Sequence, residues 1–165
     1  MRNAIVLLMA CCLLLIAGCS RPSAIRTDET KVFQNDMLSR YSAVKKLTIQ
    51  SEDTGLSFRY VMDGSNAEQA AIFEETRKFF LSETVQTKIV KERFADKHAS
   101  RTFPYPDVEI VFSLHDKDTA DYKYTSGYYG SNTDPSVIDG YRTWYYFEGD
   151  KPGVKLEDTD TPEAK

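Results

Sequence analysis

The residues able to do chemistry in this chain are few. There are two histidines, His98 and His115, and three cysteines, Cys11, Cys12 and Cys19. A zinc centre needs three or four ligands, and neither histidine stands in an HExxH or other paired-ligand spacing. His115 and Asp116 are neighbours at a strand end, where successive side chains point to opposite sides. Ser51, Ser57, Ser65 and Ser126 have no GxSxG context, so a serine hydrolase is not indicated. No GxGxxG and no GxxxxGK[ST] occurs, which leaves nucleotide binding without support. The sequence implies no cofactor and no metal. The stretch Gly130–Gly140 (GSNTDPSVIDG) gathers Asn132, Asp134 and Asp139, oxygen donors of the kind calcium takes. Their spacing does not fit an EF-hand, and side-chain-to-backbone turns account for the same residues. The carboxylate pairs Glu74-Glu75 and Asp116/Asp118 fall in segments expected to be exposed, where solvated charge is their ordinary role.

One local enrichment remains. Seven of the ten tyrosines lie between Tyr122 and Tyr146, together with the only tryptophan, Trp144. Tyrosine and tryptophan combine large contact area with a polar tip, which suits recognition of a partner or a glycan. Strands favour aromatic residues in any case. If Tyr141–Phe147 (YRTWYYF) is one strand, alternation puts Tyr141, Thr143, Tyr145 and Phe147 on one side and Arg142, Trp144 and Tyr146 on the other. A buried unpaired charge is costly, so Arg142 is placed outward and carries Trp144 and Tyr146 with it, beside Lys123 and Thr125. The expected binding surface is therefore a strip of Lys123, Arg142, Trp144 and Tyr146. In the opposing arrangement Trp144 fills the core and Arg142 lies at the wet end of the strand.

The elements that would carry these residues follow from periodicity. Val44–Ser51 and Leu56–Met62 alternate apolar and polar, and Glu52-Asp53-Thr54-Gly55 between them is turn chemistry. They are expected to form a hairpin. Ser65-Asn66-Ala67-Glu68 matches a capping box, after which Ile72, Phe73, Thr76, Phe79 and Phe80 recur at helical spacing. A second helix is expected over Glu83–Lys97, with Val85, Ile89, Val90 and Phe94 on one side. Its β-branched residues leave a strand as the alternative. Asp107–His115 is the clearest strand, followed by strands over Ala120–Tyr129 and Tyr141–Phe147. The expected architecture is α+β: a five-stranded, mainly antiparallel sheet in the order ββααβββ, with the helices packed on one face.

The first residues hold a different signal. After Met1-Arg2-Asn3, Ala4–Ile16 (AIVLLMACCLLLI) carries no charge. The run is shorter than the ~20 apolar residues of a membrane span and fits the apolar region of a secretory signal peptide. It ends in Ile16-Ala17-Gly18-Cys19. This resembles the lipobox of bacterial lipoprotein precursors: an aliphatic residue, two small residues and a cysteine. The resemblance covers about the first 19 residues. It implies export, diacylglycerol attachment to the Cys19 thiol, cleavage before Cys19 and acylation of the new amino terminus. It also implies a lipid-anchored protein on the extracytoplasmic face of a bacterial cell membrane. Cys11 and Cys12 would be removed, so the mature chain would hold no disulfide. Ser20 follows the cysteine, so the family's aspartate-type retention signal is absent.

The expected organisation is a signal peptide over residues 1–18, a lipidated cysteine and tether over 19–37, one α+β domain over 38–148 and a disordered acidic tail over 149–165. With 165 residues, 28% charged residues and a net charge of −4, the chain is of single-domain size and has no basic surplus for nucleic acid. The expected function is a small non-catalytic binding or interaction domain held at the membrane through Cys19. Its partner would be an envelope protein, a cell-wall component or a small ligand. The rival expectations are a small cell-envelope enzyme and an inhibitor or cap of another envelope protein.

Overall fold

The computed structural model of the protein describes residues 22–52, 54–114 and 120–156. Cys19 and its lipobox, His115, Asp116, Asp118 and residues 157–165 of the expected acidic tail lie outside the described residues; the part of that tail over 149–156 is described and contains a short strand, Val154–Lys155. Among the described residues the class is α+β, with three helices and a mixed sheet. Among the described residues the sheet has seven strands rather than five: β1 Ser23–Ala24, β2 Val44–Ser51, β3 Gly55–Met62, β4 Asp107–Ser113, β5 Tyr122–Ser126, β6 Tyr145–Glu148 and β7 Val154–Lys155. Spatial order follows chain order. Every neighbouring pair is antiparallel except β3 and β4, which run parallel with Gly55 opposite Asp107 and Val61 opposite Ser113. A parallel pair needs a long crossover, and here the crossover carries two helices.

Within the described residues the expected tether is structured. Asp28–Arg40 forms helix α1. Thr27 caps it: its hydroxyl accepts from the Thr30 N–H at 3.2 Å, and the Thr30 hydroxyl oxygen accepts from the Thr27 N–H at 2.9 Å. The acidic pair Asp28-Glu29 lies in the first turn and Arg40 in the last, matching the helix dipole at both ends. Phe33 and Met37, one turn apart, are buried. The Phe33 ring stacks on Phe79 with centroids 3.9 Å apart. Ahead of the helix, β1 adds to the free edge of β2, with Ser23 opposite Ser51.

Helix α2 spans Gln69–Leu81 and starts four residues after the expected cap. Ser65 does accept a local N–H, from Ala67. The Glu68 carboxylate, however, accepts from the Ala43 N–H instead of reaching back to Ser65. Helix α3, Glu83–Val85, runs into a π-helical segment, Gln86–Ala95, and a 3-10 turn, Asp96–His98. The burial pattern explains the π winding. Ile89-Val90 and Phe94-Ala95 are buried in pairs five residues apart, while Lys91, Glu92 and Arg93 between them are exposed. An α-helical turn from Ile89 would bring Arg93 inward. The i→i+5 ladder brings Phe94 in its place.

The helices cover one face of the sheet. Leu47, Ile49, Phe58, Tyr60, Ile110, Phe112 and Tyr124 point into the core and meet Phe73, Phe80 and Ile72 of α2. Phe73 stacks on Tyr124 at 3.9 Å, and Phe58 meets Phe80 edge to face at 6.3 Å. Inside this core Tyr60 Oη and Thr76 Oγ1 lie 2.6 Å apart, and Thr76 donates to the Ile72 carbonyl. On the opposite face Arg59, Val111, Lys123 and Phe147 fall in one row by register.

Candidate functional site

Lys123, Arg142, Trp144 and Tyr146 do not form an outer strip. Strand β6 begins only at Tyr145, and the approach to it is turned by two consecutive residues of positive φ, Gly140 at 66° and Tyr141 at 62°. A left-handed tyrosine is uncommon. It reverses the side-chain parity assumed for a strand starting at residue 141. Trp144 is 2% exposed; its indole N–H donates to the Tyr141 carbonyl at 3.0 Å, and its ring meets Phe73 edge to face at 5.4 Å. Tyr146 follows it to the helix-covered side, against Tyr124 and Tyr122. Arg142 is exposed but folds back on the preceding loop, donating to the Asp139 carbonyl at 2.7 Å and to Ile138. Lys123 sits on the other face of the sheet, paired with Glu109 at 3.3 Å and 5.2 Å from the Phe147 ring centre.

The turn that buries Trp144 builds something else. Tyr141 is 1% exposed, and its hydroxyl donates to the Pro106 carbonyl at 2.8 Å. Its ring meets Phe80 and Tyr128 edge to face at 4.8 and 5.6 Å. Burial, then the charge of Asp107, pushes its phenol far above the ordinary range. Above this floor the rings of Tyr105 and Tyr128 stack at 3.8 Å, and Tyr129 meets Phe103 edge to face at 5.1 Å. The result is an aromatic cluster where β4 begins, β5 ends and β6 begins.

A cleft of about 580 Å³ opens in this cluster. Phe103, Tyr105, Tyr129 and Tyr145 supply its rings; Asp107, Asp139, Asn132 and Lys155 supply its polar groups. Tyr145 is 41% exposed. The volume is in the range of small-molecule sites. The two carboxylates are in different states. Asp139 is engaged: it accepts from the Thr143 N–H at 2.9 Å and the Thr143 hydroxyl at 2.8 Å. Asp107 is open to solvent and receives no hydrogen bond from the described residues. Although the residue is exposed, its carboxyl sits partly desolvated among the cleft residues, which holds it above the ordinary value, and neighbouring Glu109 adds to this. Gly127 keeps it uncovered, since a Cβ there would lie 3.0 Å from Asp107 Oδ1.

Several of the other residues weighed for chemistry are engaged locally; Ser57 is buried, with no hydrogen-bond partner for its hydroxyl. In the Gly130–Gly140 loop, Asp134 accepts from the N–H and hydroxyl of Ser136, and Ser131 accepts from the N–H groups of Thr133 and Asp134. These are turn contacts. Among the described residues no group of His, Cys, Asp and Glu is gathered for a metal. Glu74 pairs with Arg77, and Glu75 with Arg40 and Lys78. His98 rests against the Phe94 ring at 5.1 Å. Other hollows occur among the described residues. One is shallow, along Asp121, Tyr122 and Glu148–Pro152; another is apolar, between α1 and the end of α2.

The cleft was only half visible in the sequence. The tyrosine enrichment pointed to this end of the chain. By alternation Asp107 is only the first residue of a strand, and periodicity assigns no element to Phe103 and Tyr105. A signal was present: Phe103-Pro104-Tyr105-Pro106-Asp107 places two rings in the short run before β4. Compared with protein-family models, with curated proteins and with solved structures, the chain matches none.

Proposed function

We propose that this chain is a bacterial lipoprotein, anchored through Cys19 on the extracytoplasmic face of the cell membrane, and that its α+β domain is a non-catalytic binding module. The cleft between Phe103, Tyr129 and Tyr145 is its binding site. The observation that carries the binding reading is Asp107: an exposed carboxylate among aromatic rings, receiving no hydrogen bond from the described residues. The lipobox Ile16-Ala17-Gly18-Cys19 supports the anchor. Among the described residues no helix is long and apolar enough to cross a membrane, and two or three acyl chains on Cys19 would supply stable attachment.

A second reading is a small envelope enzyme, and the raised Asp107 carboxyl is what favours it. Acid–base chemistry of the usual kind asks for a partner group beside that carboxyl. The other carboxylate of the cleft, Asp139, already holds Thr143. Binding is therefore the better account.

The test has two arms. Cys19→Ala should abolish labelling by a radioactive or clickable fatty acid and leave uncleaved precursor; persistent labelling would end the anchoring proposal. A photocrosslinking residue at Asn132, on the cleft rim, should capture a component of intact cells that the same group at exposed Lys78 does not. Equal capture from both positions would count against the cleft.

A further inference from the structure

Resting on the binding reading of the same cleft, we infer that its ligand group is an organic ammonium, primary or quaternary. Three features converge on a cation. Asp107 presents a carboxylate that no described donor satisfies. The rings of Phe103, Tyr129 and Tyr145 flank the same space, and the negative faces of aromatic rings attract a cation, most strongly where water is displaced. Asp139 adds a second negative charge while its two oxygens hold Thr143. An anion would meet both carboxylates. A neutral ligand would gain nothing from the charge.

The position of the carboxylate is protected by glycine. Any side chain at 127 would press on Asp107 Oδ1, so the oxygen stays free on the side where Gly127 approaches. Lys155 of the edge strand β7 also lines the cleft. It is the cation already at hand, tethered and exposed. An incoming ammonium competes with it, so removing Lys155 strengthens binding where removing Asp107 weakens it. These opposite signs separate a charge-reading site from a generally sticky aromatic hollow.

The experiment uses the full lipidated chain in an uncharged detergent. The probes are choline and its uncharged isostere, 3,3-dimethylbutan-1-ol, with methylammonium as the primary amine. Saturation-transfer NMR and titration calorimetry read binding. Choline is expected to bind saturably and at least tenfold more tightly than the neutral isostere. Asp107→Asn should weaken choline binding about tenfold or more, as expected when a charged acceptor is lost. Lys155→Ala should strengthen it, and Gly127→Ala should weaken it. Melting curves of each variant show that the fold is retained. Equal affinity for choline and the isostere, no saturable choline binding, or indifference to Asp107→Asn would overturn the inference. N,N'-diacetylchitobiose is included as a neutral sugar. If it binds while choline does not, the ammonium assignment falls and the cleft remains a binding site. If Asn132 captures nothing in cells and neither probe binds, the binding reading falls with it.

Discussion

Thr76 is a residue whose single proton decides an energy. Its hydroxyl donates to the Ile72 carbonyl at 2.6 Å, so it can only accept from Tyr60. Tyr60 therefore donates, and burial pushes its phenol well above the ordinary range. The two halves of this contact are not equivalent. Tyr60→Phe removes a donor and leaves Thr76 still bonded to Ile72; it should cost about 1 kcal/mol. Thr76→Val leaves the buried Tyr60 hydroxyl without an acceptor and should cost about 1–3 kcal/mol. Denaturant melts of the two variants test the order, and a larger loss in Tyr60→Phe would refute the assigned direction. Single residues also mark where sequence reasoning stopped short. Trp144 was placed outward by parity, and the parity was sound for a strand. The error lay upstream, at Tyr141, whose positive φ has no signature in residue type apart from the glycine before it.

Among the elements, legibility followed the strength of alternation. Strands β2, β3 and β4 were readable because Leu47 and Ile49, Leu56 through Met62, and Val108 through Phe112 repeat every second residue against one core. Helix α1 was missed because few of its residues are buried and its cap pairs Thr27 with Thr30, whereas the familiar signature has Glu or Gln in the second place. The reverse error occurred at Ser65, where a matching Ser-x-x-Glu sits in a turn and Glu68 serves Ala43. The π-helical segment was legible as helix but not as π. Its mark is the spacing of buried pairs, Ile89-Val90 and Phe94-Ala95. This gives a prediction specific to the winding. Phe94→Ala should cost about 3–5 kcal/mol, while Arg93→Ala, one residue earlier, should change stability by less than about 0.5 kcal/mol. Chemical denaturation distinguishes them. Comparable losses would mean that the segment is wound as an ordinary α-helix.

For the whole molecule, the folded unit begins earlier than composition suggested. Ile25, Phe33 and Met37 belong to the same core as the sheet, and Lys88 of the π segment pairs with Glu29 of α1. A chain starting at Tyr41 should therefore lose cooperative unfolding, and one starting at Pro22 should keep it; calorimetry decides. The parallel pairing of β3 and β4 was not legible either, because alternation tells which face a residue takes and says nothing of strand direction. The short β1 has one more consequence. Ser23 lies opposite Ser51, Ser51 opposite Leu56, Leu56 opposite Val108 and Val108 opposite Ser126. The chain thus enters the sheet at the end where Asp107 and Gly127 stand. Three peptide steps join Cys19 to Pro22, a reach of at most about 11 Å. If Cys19 carries lipid, that end of the sheet is moored almost at the headgroups. The domain would be a short-leashed detector, searching a plane instead of a volume.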